Sequence, residues 1–275
     1  MTLIMGVLNI TPDSFSDGGE FFDPQSAVAR GLQLVSQGAD IVDIGGESTR
    51  PGATRISVEA EQQRILETVR QLVANGVTVS VDTLNAATAR AAIEAGASII
   101  NDVSGGVEDN EMYRAIAETR TGQGQSARYI MGHWRGVPDA EHARSDYNDV
   151  VESVRTAFNQ QIATAHAAGV TDAQIVIDPG LGFDKNSAQG WQLLARLNEF
   201  STLGFPVMIG VSRKRMLGQL LDELDLPSDP KSRDLPTAVT SALAAAAGVW
   251  AVRVHDVPST RVALAVQQSW AEGSK

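Results

Sequence analysis

Eight short apolar runs rich in β-branched residues recur along the chain, at positions 3–8, 41–44, 77–81, 97–100, 128–131, 175–177, 207–211 and 249–254. Each is hydrophobic continuously instead of alternately, so each strand is expected to be covered on both faces, as in a parallel sheet. Helical spacing fills the intervals between runs. Val28, Leu32 and Val35 share one face, as do Ile65, Val69 and Leu72, then Val151, Val154, Phe158 and Ile162, and finally Val262, Val266 and Trp270. Strand, helical stretch and strand, repeated eight times in about 250 residues, predicts a single α/β (β/α)8 TIM barrel. A doubly wound open sheet is the competing arrangement. No linker or shift in composition divides the chain, so residues 1–275 are read as one domain. The polar stretch 222–234, with Pro227 and Pro230, is expected to be an exposed loop interrupting the seventh crossover.

A barrel commits its chemistry to the C-terminal ends of the strands and the loops after them. The composition says what that chemistry must do without. The formal net charge is −11, so no basic field draws in nucleic acid or an anionic membrane, and an anionic substrate must be met by a few local cations. There is no Cys, which excludes disulfides, thiolate metal sites and Cys nucleophiles. MTLIMGVLNITPDSF carries no basic n-region, and no segment of about 20 apolar residues follows, so the expectation is a cytoplasmic protein.

The strand ends are rich in polar groups. The first ends in Asn9 and opens into TPDSFSDGG, where Phe15 and Asp17 sit in a turn-forming loop; an aromatic side chain there suits a lid over substrate. The second ends in Asp43 and runs into GGESTRPGA, a stiff loop presenting Thr49, Arg50 and Pro51. A surface Arg beside a Pro turn is the plainer reading. Asp82, Asn101 and Asp178 close the third, fourth and sixth runs. Buried carboxylates need partners, and an Asn cap for the next segment is equally open at Asn101. Together the three suit a flat heterocycle with a guanidine-like edge, since a carboxylate accepts two parallel N–H bonds from such an edge.

The seventh run leads into GVSRKRMLG, whose three cations in four residues look like the required anion site, with Ser212 available to cap the next helix. The eighth ends in Arg253-Val254-His255-Asp256. Spacing of two in a strand puts Arg253 and His255 on one side, where both can reach one phosphate. His133 follows the fifth run; neither it nor His142 and His166 is assigned a role. No HExxH, G-x-S-x-G or GxGxxG after the first strand is present, against zinc peptidase, α/β-hydrolase and dinucleotide-binding readings.

NITPDSFSDGG, VDIGGESTRPGA, SVDT, INDVSGG, DPGLGF, GVSRKRMLG and RVHDV, in this order, resemble the dihydropteroate synthase family from Met5 to about Val257. The resemblance implies joining 6-hydroxymethyl-7,8-dihydropterin pyrophosphate to p-aminobenzoate, a transferase reaction of folate biosynthesis that sulfonamides block. It implies pterin binding by Asp82, Asn101, Asp178, Phe183 and Lys214, and pyrophosphate binding by Asn9, Arg253 and His255. Asn9 would also hold Mg²⁺. Thr49, Arg50, Pro51 and Ser212 would take p-aminobenzoate, and Phe15, Asp17, Arg50 and Lys214 would serve the chemistry. A homodimer is the family expectation, although the helices give no sign of an exposed apolar face. Two positions depart from the pattern. Gly132 separates Met131 from His133 where the family has Met-His adjacent, and predicts a bulged strand end. Gly190 stands where the family commonly has Asn, and predicts lost hydrogen bonds. A pterin-binding methyltransferase and a catalytically weak or inactive pterin-binding paralogue are the rival readings.

Overall fold

A computed structural model describes residues 1–10, 23–47, 55–136 and 145–273. The eight strands are β1 (Leu3–Asn9), β2 (Ile41–Gly45), β3 (Val79–Asp82), β4 (Ile99–Asp102), β5 (Arg128–Gly132), β6 (Ile175–Asp178), β7 (Met208–Ile209) and β8 (Ala251–Val254). All pairings are parallel, in the order β6-β5-β4-β3-β2-β1-β8-β7. A parallel bridge between Ile177 and Val207 joins the two ends of that order, and the Ile177 N–H donates to Pro206 O at 2.9 Å. The barrel is therefore nearly closed, as the eightfold repeat predicts.

Helices occupy the crossovers: α1 (Pro24–Gln37), α2 (Val58–Ala74), α3 (Ala86–Glu94), α4 (Met112–Glu118), α5 (Val150–Ala167), α6 (Ser187–Ala195), α7 (Leu197–Ser201), α8 (Arg215–Glu223), α9 (Asp234–Ala246) and α10 (Val257–Glu272). Their starts follow local chemistry. Asp23 accepts from the N–H groups of Gln25 and Ser26 ahead of Pro24, and Asp149 does the same for Val151 and Glu152. Ile65, Val69 and Leu72, and Val151, Val154, Phe158 and Ile162, are buried against the sheet as the spacing predicts. The first helix is rotated slightly from expectation: Ala27, Val28, Gly31 and Leu34 are buried, while Leu32 and Val35 are more than a third exposed.

Two expectations need larger correction. Stretch 222–234 is shorter as a loop than predicted, because α8 runs to Glu223 and α9 starts at Asp234. Val262, Val266 and Trp270 do lie on one face of α10, but that face points outward, with Trp270 80% exposed. The buried positions of α10 are Val257 and Thr260. Leu235, Val239 and Leu243 of the adjoining α9 are exposed as well. An exposed apolar face therefore exists where none was expected; periodicity identifies a stripe, not what covers it. Among the described residues no helix is long and apolar enough to cross a membrane.

Candidate active site

Strand alternation divides the barrel interior into layers. Met5, Ile41, Ile99, Ile130, Val176, Met208 and Ala251 meet as an apolar plug. Two residues further along the strands, on the same side, stand Asp43, Asn101, Asp178 and Arg253, with Asp82 brought level with Asn101 by the β3–β4 register. The polar layer thus rests on an apolar floor at the C-terminal end of the barrel. Asp102, its neighbour in sequence, faces the other way. Its oxygens accept from Ser104, Gly106 and the Tyr129 hydroxyl, and burial raises its pKa.

Arg253 ties the layer together. Its Nε donates to Asp43 Oδ2 at 2.6 Å and its Nη2 to Asp82 Oδ2 at 2.8 Å, while Asn101 Nδ2 donates to Asp43 Oδ2 at 3.2 Å. Burial pushes the Asp82 pKa up to about 7, with Arg253 opposing and Asp43 reinforcing the rise. Asp43 Oδ1, Asp82 Oδ1 and Asn101 Oδ1 are buried and accept no hydrogen bond from any described residue. Such acceptors are costly unless a donor meets them.

Asp178 lies across the layer from this network. Its Oδ1 accepts from the Gly180 N–H at 3.0 Å, and burial raises its pKa against the fields of Lys214, Lys185 and Arg253. Lys214, at the start of α8, reaches into the barrel: Nζ donates to Leu181 O and lies 4.8 Å from the centre of the Phe183 ring. Burial lowers its pKa to about 8, opposed chiefly by Asp178. Ser212 and His255 are bonded to each other, with Ser212 Oγ 2.9 Å from His255 Nδ1 and accepting from the His255 N–H at 3.1 Å. Asn9 is half-buried at the end of β1, beside Gly45.

The structure therefore brings Asp82, Asn101, Asp178, Phe183, Ser212, Lys214, Arg253 and His255 to one end of the barrel. Phe15, Asp17, Thr49, Arg50 and Pro51 lie outside the described residues. The three cations of SRKR do not form one anion site. Arg213 adopts a left-handed backbone (φ 59°) and turns to Asp234 in a two-pronged ion pair at 2.7 Å, Arg215 is exposed, and Lys214 alone enters the barrel.

Two groups were passed over in the sequence. Asp43 is fully buried and holds Arg253, and counting alternate positions from Ile41 places it in the polar layer. Lys185, 2% exposed, gave no signal in a loop where a solvated Lys is the ordinary expectation.

Gly132 does not bulge the strand. It stays in register with Asp178, and a Cβ there would stand 2.4 Å from Val103 O, so the glycine admits the backbone that follows β4. Met131 packs into the core outside the barrel. Gly190 is buried in α6, and a Cβ there would meet the Met216 sulfur at 2.8 Å. Met216 of α8 occupies the room a longer side chain would take.

The sequence profile of the pterin binding enzymes matches residues 5–255. Dihydropteroate synthase of Mycobacterium leprae is 46% identical over 269 residues, which covers 97% of this chain and 93% of that protein. Two solved structures of dihydropteroate synthase from Xanthomonas albilineans share the fold. The one with 4-aminobenzoic acid has a TM-score of 0.88 at 40% identity, covering 98% of this chain and 93% of its own. The other, in complex with 7,8-dihydropteroate, has a TM-score of 0.85 at 37% identity, covering 98% and 94%.

Proposed function

Since the chain belongs to the dihydropteroate synthases of the pterin binding enzyme family, we propose that the polar layer binds the dihydropterin and that Arg253 of that layer, with His255 just past β8, receives its pyrophosphate. The enzyme joins 6-hydroxymethyl-7,8-dihydropterin pyrophosphate to p-aminobenzoate, giving 7,8-dihydropteroate and pyrophosphate. One observation carries the pterin reading: buried Asp43, Asp82 and Asn101 oxygens with no donor from a described residue. An aminopyrimidinone ring offers a row of N–H donors to such acceptors. Asp178 accepts from the same edge, Lys214 donates to a ring oxygen or nitrogen, and Phe183 covers a face.

Asp43 and Asp82 occupy two of the five N–H donors of Arg253. The others, with His255, serve the pyrophosphate. Ser212, bonded to His255, takes the p-aminobenzoate carboxylate, so the two substrates meet across one hydrogen bond. Bonding changes are few. The methylene C–O bond breaks with its electron pair leaving on pyrophosphate, the arylamine nitrogen forms the C–N bond, and its proton is lost. Charge on the leaving group is what the site must stabilise, and placement of the amine supplies most of the rest. Asp17 would stabilise positive charge developing on the methylene. Phe15, Thr49, Arg50 and Pro51 would enclose the second substrate and exclude water.

A Mg²⁺ ion fits this scheme. The protein would need to supply only one or two oxygens, because Mg²⁺ ordinarily keeps several waters and substrate phosphates as its other ligands. Among the described residues no three acidic, His or Cys side chains cluster as a metal site, and the Asn9 side-chain oxygen beside the anion position suits the sparse donor set. When bound, the ion neutralises charge on the departing pyrophosphate.

The whole chain acts as one cytoplasmic domain. The exposed apolar face of α9 and α10 serves a homodimer. Incubation with dihydropterin pyrophosphate, labelled p-aminobenzoate and Mg²⁺ tests the reading: labelled dihydropteroate is expected, and its absence overturns the assignment in favour of an inactive pterin-binding relative.

A further inference from the structure

Lys185 is a buried cation to which that scheme gives no part. Its Nζ donates to the carbonyl oxygens of Gly180 (3.1 Å), Phe183 (2.9 Å) and His133 (3.2 Å), and lies 3.0 Å from His133 Nδ1. Four acceptors thus surround a group with three N–H bonds. Burial pulls its pKa down to about 7 against the fields of Asp184 and Asp178. Charged or neutral, it keeps hydrogens to donate. Burial of the His133 ring, reinforced by the neighbouring Lys185, holds that imidazole well below its ordinary pKa, consistent with Nδ1 acting as an acceptor.

The acceptors come from two loops, one after β5 and one after β6. The chain from Asp178 to Lys185 curls around the ammonium, with left-handed backbone at Gly180 (φ 70°), Gly182 (φ 77°) and Asp184 (φ 51°). That conformation is unfavourable for a non-glycine residue. At Asp184 the carboxylate is fixed by accepting from the Arg135 N–H at 2.6 Å. The loops touch backbone to backbone, since a Cβ on Gly180 would stand 2.0 Å from His133 O.

The other side of the same curl carries the groups assigned to the pterin. Gly180 donates to Asp178, Leu181 O accepts from Lys214, and the Phe183 ring underlies the Lys214 ammonium. We propose that Lys185, oriented by His133, is a positioning residue that fixes the curl and so holds Asp178, Phe183 and Lys214 in place before the heterocycle arrives. This rests on the pterin reading of those three residues. Arg253 and His255 stand on β8 and just beyond it, where Arg253 is hydrogen-bonded to Asp43 and Asp82 and His255 to Ser212, so the anion position should depend on Lys185 far less than the pterin position does.

Calorimetry on the full chain separates these statements. Lys185→Met keeps most of the stem and removes every donor. It should weaken dihydropterin pyrophosphate by about tenfold or more, while inorganic pyrophosphate with Mg²⁺ binds within about twofold of wild type. His133→Leu removes the ring acceptor but keeps the carbonyl. It should give a smaller loss of the same selectivity, about threefold, and it decides the matter should Lys185→Met fail to fold. Equal loss of both ligands in the folded variant, or unchanged dihydropterin pyrophosphate affinity, would overturn the positioning role. Failure of the wild-type protein to bind dihydropterin pyrophosphate would instead sink the pterin reading beneath it.

Discussion

Replacing Arg253 by Met removes the one cation among the described residues that is bonded to both Asp43 and Asp82 and leaves two carboxylates facing each other. Their side chains are 0% and 9% exposed, and that of Arg253 is 21% exposed. Removing one member of a buried ion pair costs about 3–5 kcal/mol, and the partly open mouth favours the lower end. At about 2.1 cal/mol/K of unfolding entropy per residue, a chain of 275 residues converts 3 kcal/mol into roughly 5 °C of Tm. The loss should depend on pH. Asp82 is raised from 3.8 to about 7, so the folded state keeps a proton that the unfolded chain releases above pH 4. The stability this group contributes is therefore present at low pH and is lost as pH rises through about 7. Without Arg253, which opposes the rise, the folded pKa moves higher still. The variant should accordingly be weakened more at pH 8.5 than at pH 6, as read by calorimetric melting of the ligand-free protein. Adding Asp82→Asn should recover about 1 kcal/mol or more at pH 8.5, because it removes one unpaired carboxylate. A Tm loss below about 1 °C, or equal losses at the two pH values, would refute the idea that Arg253 neutralises this layer.

Other expectations follow from single contacts. Gly132→Ala places a Cβ 2.4 Å from Val103 O, which only backbone movement relieves, so denaturant unfolding should register a loss of about 2 kcal/mol; a loss under half that would mean β4 and β5 part readily. Lys214 is lowered from 10.5 to about 8, so between those values the unfolded chain holds the extra proton and this group's contribution to stability grows with pH. The unfolding free-energy difference between wild type and Lys214→Met should widen in that window, while pterin affinity of the wild type declines above pH 8; flat profiles would contradict the burial of Nζ. Trp270→Ser with Val266→Ser should shift sedimentation toward the monomer without changing the Tm of the monomeric form by more than about 2 °C, and an unchanged sedimentation coefficient would exclude the α9/α10 face as the contact.

The barrel is legible because two periods are. Continuous apolar runs such as 175–177 need cover on both faces, and a 3.6-residue stripe such as Val151, Val154, Phe158 and Ile162 supplies it. The strand-end positions of Asp82, Asn101, Asp178, Arg253 and His255 follow from the same pattern. What the pattern hides is pairing. Asp43 and Asp102 are both strand-end aspartates, yet one holds Arg253 inside the barrel and the other binds Tyr129 outside it. Only the parity of a residue within its strand separates them, and strand limits uncertain by one residue erase it. The three cations after β7 look alike in sequence, but a left-handed turn at Arg213 sends one to Asp234 and the next to the barrel. Lys185 was invisible because its partners are carbonyl oxygens, which every sequence possesses. For α10, an apolar stripe facing outward has the same spacing as one facing in.

The join between β6 and β7 is the thinnest stave of the barrel: β7 has two residues, and the bridge at Ile177 and Val207 closes the circle. In amide hydrogen exchange that seam should breathe first, since few backbone hydrogen bonds must break to open it. Asp178 and Lys214 stand on opposite sides of it, linked through the Leu181 carbonyl. A pterin held by both would act as a hoop around the barrel. At a hundred times its Kd, a ligand that binds only the closed form adds about 2.7 kcal/mol to the opening energy. Protection at the Ile177 amide would then report occupancy of the mouth from within the wall, with no probe attached to substrate or loop.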